Sequence, residues 1–184
     1  SPELVGGILS AIDEMWGLAR DAEITLEANP MSAPEAHLTA LRAAGVTRLS
    51  LGVQAFEDGA LKFLGRTHSA QDARVAFAAA QRIFPRASFD LIYARPHQTP
   101  EAWAQELSAA LALGPQHMSL YQLTIEENTA FHHAYHVKKS FAESDETLSV
   151  TLQRLPICKR KTFIFALFSG IGQHLRRTLR YHLD

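Results

Sequence analysis

The chain has 184 residues, 47% of them apolar and 20% charged, with a formal net charge of −1, which is enough chain for one substantial core. Near-zero charge gives no electrostatic support for a nucleic-acid or membrane-surface role, and the longest apolar run, Phe163 to Phe168, falls far short of the roughly 20 residues of a membrane span. No basic start leads into an apolar run, so a cytoplasmic location is expected, and a lone cysteine, Cys158, excludes an internal disulfide or an all-cysteine metal site within this chain.

Ser1-Pro2-Glu3 reads as a helix start, followed by an apolar stripe of Leu4, Ile8, Ile12, Met15 and Trp16 that Gly17 closes. Gly6-Gly7 lies inside that period and so is not a phosphate loop. Glu23 to Ala28 alternates as a strand and is stopped by Asn29-Pro30. Ser32 followed by Glu35 has the spacing of a capping box for a second helix, which carries Leu38 and Leu41 and ends at Gly45.

Arg48 to Val53 is the next strand, with Leu49, Leu51 and Val53 on one face and Gln54 at its carboxyl end. A short segment, Asp58 to Leu64, leads to Gly65, Arg66, Thr67 and His68. A helix over Ala70 to Phe84 follows, with Val75, Phe77, Ala78 and Ile83 as its inward positions. Ser88 to Tyr93 is the third strand, Ala94-Arg95-Pro96 a turn, and Thr99-Pro100-Glu101 the start of a helix with Trp103, Leu107, Ala110 and Leu111 inward. Gly114-Pro115 ends it, and Met118 to Ile125 is the fourth strand.

Strands alternating with helices imply right-handed crossovers and a parallel sheet, so the fold class is α/β, an arc of about four strands from a barrel. Ligands in such folds lie at the carboxyl ends of the strands. Glu27 with Asn29, Gln54, Asp90 with Tyr93, and Gln122 with Thr124 occupy those ends, and Arg66 follows in a loop. Carboxylates, an amide and a guanidinium together suit a zwitterionic or hydroxyl-bearing ligand. The competing reading is that Glu27 and Arg66 pair with each other and Asp90 caps the following helix. His132, His133 and His136 have spacings that could suggest a metal site, but in a connector they read as solvated, so no metal ligand is assigned.

Five stretches carry a resemblance: ITLEANP (24–30), AGVTRLSLGVQAF (44–56), LGRTH (64–68), FDLIYARPHQT (89–99) and HMSLYQLTIEENTAF (117–131). In order and spacing they resemble the radical-SAM oxygen-independent coproporphyrinogen III oxidases and, more closely, their haem-chaperone branch. The resemblance covers about residues 1 to 135, implying a partial radical-SAM (β/α)6-type barrel there; over 136–184 the pattern is lost, and a divergent, irregular tail is expected. It implies S-adenosylmethionine contacts at Glu27, Gln54, Arg66 and Asp90, with Thr124 as a backbone contact. It implies a [4Fe–4S] cluster and a tetrapyrrole, either haem handed to an acceptor protein or coproporphyrinogen III undergoing oxidative decarboxylation.

The departures from the family matter as much. Its C-x3-C-x2-C motif is absent, its glycine-rich loop would fall just upstream of Ser1, and Ala94 stands where glycine is usual. Thiolates are what hold such a cluster. The expectation is therefore a piece of a radical-SAM haem chaperone that is not itself catalytically competent, or else a cluster-free binding remnant.

Overall fold

The computed structural model describes residues 1–32, 34–123, 162–167 and 177–181, the last two stretches as backbone only. Two compact units divide at Phe89 and Asp90, within the third strand. The strands run in sequence order in the sheet, β1 (Thr25–Ala28), β2 (Arg48–Gln54), β3 (Arg86–Tyr93), β4 (His117–Gln122), β5 (Thr162–Leu167) and β6 (Arg177–Tyr181).

In the first unit, α1 (Pro2–Trp16) is capped by Ser1 and stopped by Gly17, as its sequence requires. Its apolar stripe does not enter the core: Leu4, Ile8, Met15 and Trp16 are all exposed. The periodicity gave the helix correctly, but a stripe is buried only where another element covers it. α2 (Glu35–Ala43) buries Leu38 and Leu41. The capping box expected from Ser32 does not form, because Ser32 ends a 3-10 turn over Pro30–Ser32 and Pro34 occupies the cap position. Proline places its own backbone in the extended region there and offers no side-chain acceptor.

β1 and β2 are parallel, with Glu27 opposite Ser50 and Ala28 opposite Leu51. The period of two sends Leu49, Leu51 and Val53 to one face, all fully buried. Against that core lies α4 (Ala70–Ile83), which buries Ala73, Ala76, Phe77, Ala79 and Ala80. Val75 and Ala78 were expected inward and are exposed instead. Apart from Phe77, the buried face of the helix is made of alanines, so the helix backbone approaches its neighbours closely there. Phe89 closes the core with edge-on contacts to Phe77 at 4.7 Å and Phe56 at 5.4 Å between centroids.

In the second unit, α5 (Pro100–Ala112) starts at the Thr99 cap and buries Trp103, Ala104, Leu107 and Ala110. Tyr93 stacks on Trp103 with ring centroids 5.4 Å apart. Tyr93 does end β3, as expected, but period two puts its side chain with Leu91 on the side that faces α5, fully buried. Burial pushes its phenol up to about 12, so the hydroxyl stays neutral at physiological pH.

β5 runs parallel to β4, and β6 antiparallel to β5. An irregular tail was expected there, and on these eleven residues, six in β5 and five in β6, that expectation is corrected. TFIFAL opens with four aromatic or β-branched residues and runs on without alternation, a pattern that strands tolerate but periodicity does not reveal. Thr124, Cys158 and the histidines at 132, 133 and 136 lie outside the described residues.

After β3, Ala94 adopts φ 57° while 4% exposed. Left-handed backbone costs alanine about 1–2 kcal/mol, which glycine would avoid, but glycine gives back about 0.8 kcal/mol of methyl burial plus chain entropy. A94G is therefore expected within about 1 kcal/mol of the wild type, whereas A80G, fully buried in the last turn of α4, should lose about 2 kcal/mol. Urea denaturation of the two variants checks this contrast.

Candidate functional site

The carboxyl ends of β1 and β2 carry the polar groups of the first unit. Because Glu27 pairs with Ser50, it shares a sheet face with Ser50, Gly52 and Gln54, opposite the leucine face. Lower on that face Arg48 donates to Ser88 Oγ at 2.9 Å, and Ser88 Oγ lies 3.0 Å from Ser50 Oγ. These groups satisfy one another. Arg86 donates to Glu23 at the far, amino-terminal end and holds that carboxyl below the usual range.

Nearer the carboxyl ends the situation changes. Glu27 is exposed and makes no ion pair or hydrogen bond among the described residues. Gln54 has φ 70°, the left-handed region that only glycine enters freely. Its side-chain Nε2 lies 3.1 Å from where a Cβ on Gly52 would stand, and the same point is 3.9 Å from the Ala28 carbonyl. Gly52 thus clears space for the Gln54 amide against the β1 end, a position any larger residue would crowd.

Arg66 reaches this region through a tightly built loop. Glu57 accepts from the backbone N–H of Gly59 and Ala60, both at 2.8 Å, starting α3 (Asp58–Phe63). Gly65 at φ 69° turns the chain out of it, and Arg66 N–H donates to the Leu61 carbonyl at 2.9 Å. Asp58 accepts from Ala70 N–H at 2.7 Å, and Ser69 with Asp72 forms a capping box for α4. The serine hydroxyl and backbone donors hold the Asp72 carboxyl below its usual range. Beneath the loop Ala55, Ala60 and Leu61 form a small core. The Arg66 Nε is buried and has no hydrogen-bond partner among the described residues.

The Glu27–Arg66 ion pair weighed as the competing reading is therefore not among the ion pairs of the described residues. Among the described residues a carboxylate, an amide and a guanidinium of one unit have no side-chain partner, each at or after a strand end. A ligand with an ammonium or hydroxyls would satisfy the first, and a carboxylate the last.

Asp90 opens the second unit, half-buried in β3 and engaged with a partner. Asn29 turns its Oδ1 back on Met31 N–H at 3.1 Å, capping the 3-10 turn. Two residues that the sequence reading passed over belong to this description. Gly52 reads in sequence only as a weak point in a strand, and His68 reads as the end of a loop. Neither has a spacing signal; both are recognised by what their atoms touch.

The model of the Radical SAM superfamily matches residues 3–110 of this chain. The mouse (Mus musculus) protein named radical S-adenosyl methionine domain-containing protein 1, mitochondrial, is 48% identical over 131 residues, covering 71% of this chain and 30% of that protein. The protein named heme chaperone HemW from Synechocystis sp. is 42% identical over 125 residues, covering 67% of this chain and 30% of that protein. This chain thus spans less than a third of the length of these relatives. Among solved structures, coproporphyrinogen III oxidase (HemN) from Escherichia coli, a radical SAM enzyme, superposes with a TM-score of 0.70 at 24% identity, covering 85% of this chain and 36% of that one. That likeness speaks for the α/β fold. With the strand–helix order, the polar strand ends and a superfamily match over more than half its length, the chain belongs to the Radical SAM superfamily.

Proposed function

We propose that this chain is part of a radical-SAM haem-chaperone protein and that Glu27, Gln54 and Arg66 contact S-adenosylmethionine; contacts by Asp90 and, through its backbone, by Thr124 are a separate part of the same proposal. The observation that carries the proposal is the left-handed Gln54, its amide accommodated by Gly52, in the same unit as a buried, unsatisfied Arg66 Nε. A strained backbone and an orphaned polar atom each cost about 1–3 kcal/mol and are retained where a ligand uses them. In this reading Arg66 takes the carboxylate of the methionine part, and Glu27 accepts from an ammonium or ribose hydroxyl.

The relatives named heme chaperone HemW support haem as the cargo; an acceptor protein as its destination is part of the proposal. The cluster is a different matter. A [4Fe–4S] centre needs thiolates, and these 184 residues contain one cysteine. The residues present do not fit that group by themselves, which also keeps a cluster-free binding role in view. Cluster reduction, when a cluster is supplied, would be the source of radical chemistry; positioning the nucleoside is what this chain's own residues would do.

No helix among the described residues is long and apolar enough to cross a membrane. A cytoplasmic location belongs to the same proposal, and since the mouse relative is named as mitochondrial, cell fractionation would test it.

Calorimetry with S-adenosylmethionine tests the ligand contacts. R66A is expected to weaken binding about 10- to 100-fold, as for a lost charge-assisted hydrogen bond, and Q54A about 5- to 10-fold, with far-UV circular dichroism unchanged. Equal affinities in all three proteins would sink the assignment. Haem titration in parallel separates the cargo: a Soret band without iron–sulfur absorbance would support the cluster-free role.

A further inference from the structure

We propose that His68 is a positioning residue: it holds the end of β2 in shape by donating to the Val53 carbonyl, and so sets the direction of Gln54. The imidazole is 3% exposed, and its Nε2 lies 3.0 Å from Val53 O. A carbonyl only accepts, so Nε2 carries a hydrogen and donates it. The other ring nitrogen, Nδ1, is buried with no hydrogen-bond partner among the described residues. One nitrogen of a buried imidazole is thus left unsatisfied while the other is placed on one particular carbonyl.

The carbonyl explains why. Val53 O also accepts from Ala55 N–H at 2.9 Å, two residues on, with Gln54 between them at φ 70°. An i to i+2 bond around a residue of that φ is a γ-turn of the rare, strained kind. Such a turn persists only where its surroundings over-determine it. A carbonyl has two lone pairs, and here the turn uses one and His68 the other. The histidine comes from fifteen residues away, after Gly65 and Arg66, so the same bond closes the loop that carries Arg66 onto the strand end carrying Gln54.

The consequence for ligand affinity rests on the proposed S-adenosylmethionine contacts; the effect on the turn does not. Glutamine places an amide N–H where Nε2 stands, whereas asparagine reaches only as far as Nδ1. H68Q should therefore keep the Gln54 amide resonance and its positive-φ coupling constant, and bind S-adenosylmethionine within about threefold of wild type. H68N should lose both, with affinity down about tenfold. A long-range proton–nitrogen spectrum of the wild type should show a hydrogen on His68 Nε2.

A wild-type Nε2 without a hydrogen would overturn the proposal, as would an H68N protein with unchanged Gln54 signals. Should H68N fail to fold, H68Q decides: loss of the Gln54 signature despite a folded spectrum counts against the carbonyl bond. If no version binds S-adenosylmethionine, the functional reading fails, and the Gln54 signals still report on His68.

Discussion

Replacing Glu106 with alanine should destabilise the protein by about 3–5 kcal/mol, the cost of breaking a buried ion pair from one side. Arg95 and Glu106 are each about nine-tenths buried, and the guanidinium meets the carboxylate through both terminal nitrogens, one of them at 3.3 Å from Oε1. Gln98 completes the arrangement. Its Nε2 donates to Glu106 Oε2 at 3.1 Å, while its Oε1 accepts from Arg95 N–H at 3.2 Å. The turn after β3 is therefore fastened to α5 by one carboxylate that serves two side chains. E106A leaves a guanidinium and an amide without an acceptor, away from water. For a chain of this size the loss corresponds to a fall of about 10 °C in Tm, which calorimetry or circular dichroism would read. Replacing the pair together, as R95M with E106L, should recover much of it, because two apolar groups leave no charge stranded. A single variant as stable as the wild type would mean that water reaches Arg95.

The same turn shows where sequence reading reaches and where it stops. Alternation in RLSLGVQ identified β2 and assigned its faces correctly, because a strand's side chains must point to alternate sides and one side is the core. Proline and threonine at the start of α5 were equally legible, since both act locally. Burial that depends on another element was not legible. The stripe of α1 has the right period yet stays exposed, and α4 prefers alanines to Val75 at its interface. The strand-end residues Glu27, Gln54 and Arg66 could be picked by position and charge. Their lack of mutual partners could not, nor could the γ-turn at Gln54, because glutamine carries no sequence preference for positive φ. His68 is the sharpest case. Its importance lies in one acceptor fifteen residues away, and no local pattern encodes that bond.

Phe89→Ala should cost about 3–5 kcal/mol, because the first unit has its aromatic centre there. Phe89 is fully buried and edge-on to both Phe77 of α4 and Phe56, which follows the Gln54 turn by two residues. Arg74 covers the other partner, its guanidinium carbon 4.7 Å from the centre of the Phe56 ring. Truncation removes two aromatic contacts, each worth about 0.5–1.5 kcal/mol beyond area, and leaves a cavity that flanking β-structure can only partly close. Leucine at the same position keeps most of the volume, so F89L is expected to lose no more than about 1.5 kcal/mol. V75A supplies the contrast on the adjoining helix: with Val75 59% exposed, its effect should stay within about 0.5 kcal/mol. Denaturant midpoints order the three variants. Amide spectra add a second test, since Phe56 rests on Phe89 and leads directly back to the turn. F89A should therefore shift the Gln54 to Phe56 resonances, while V75A should leave them in place. If F89A and V75A proved equally mild, the aromatic cluster would not be what holds the base of the strand-end site.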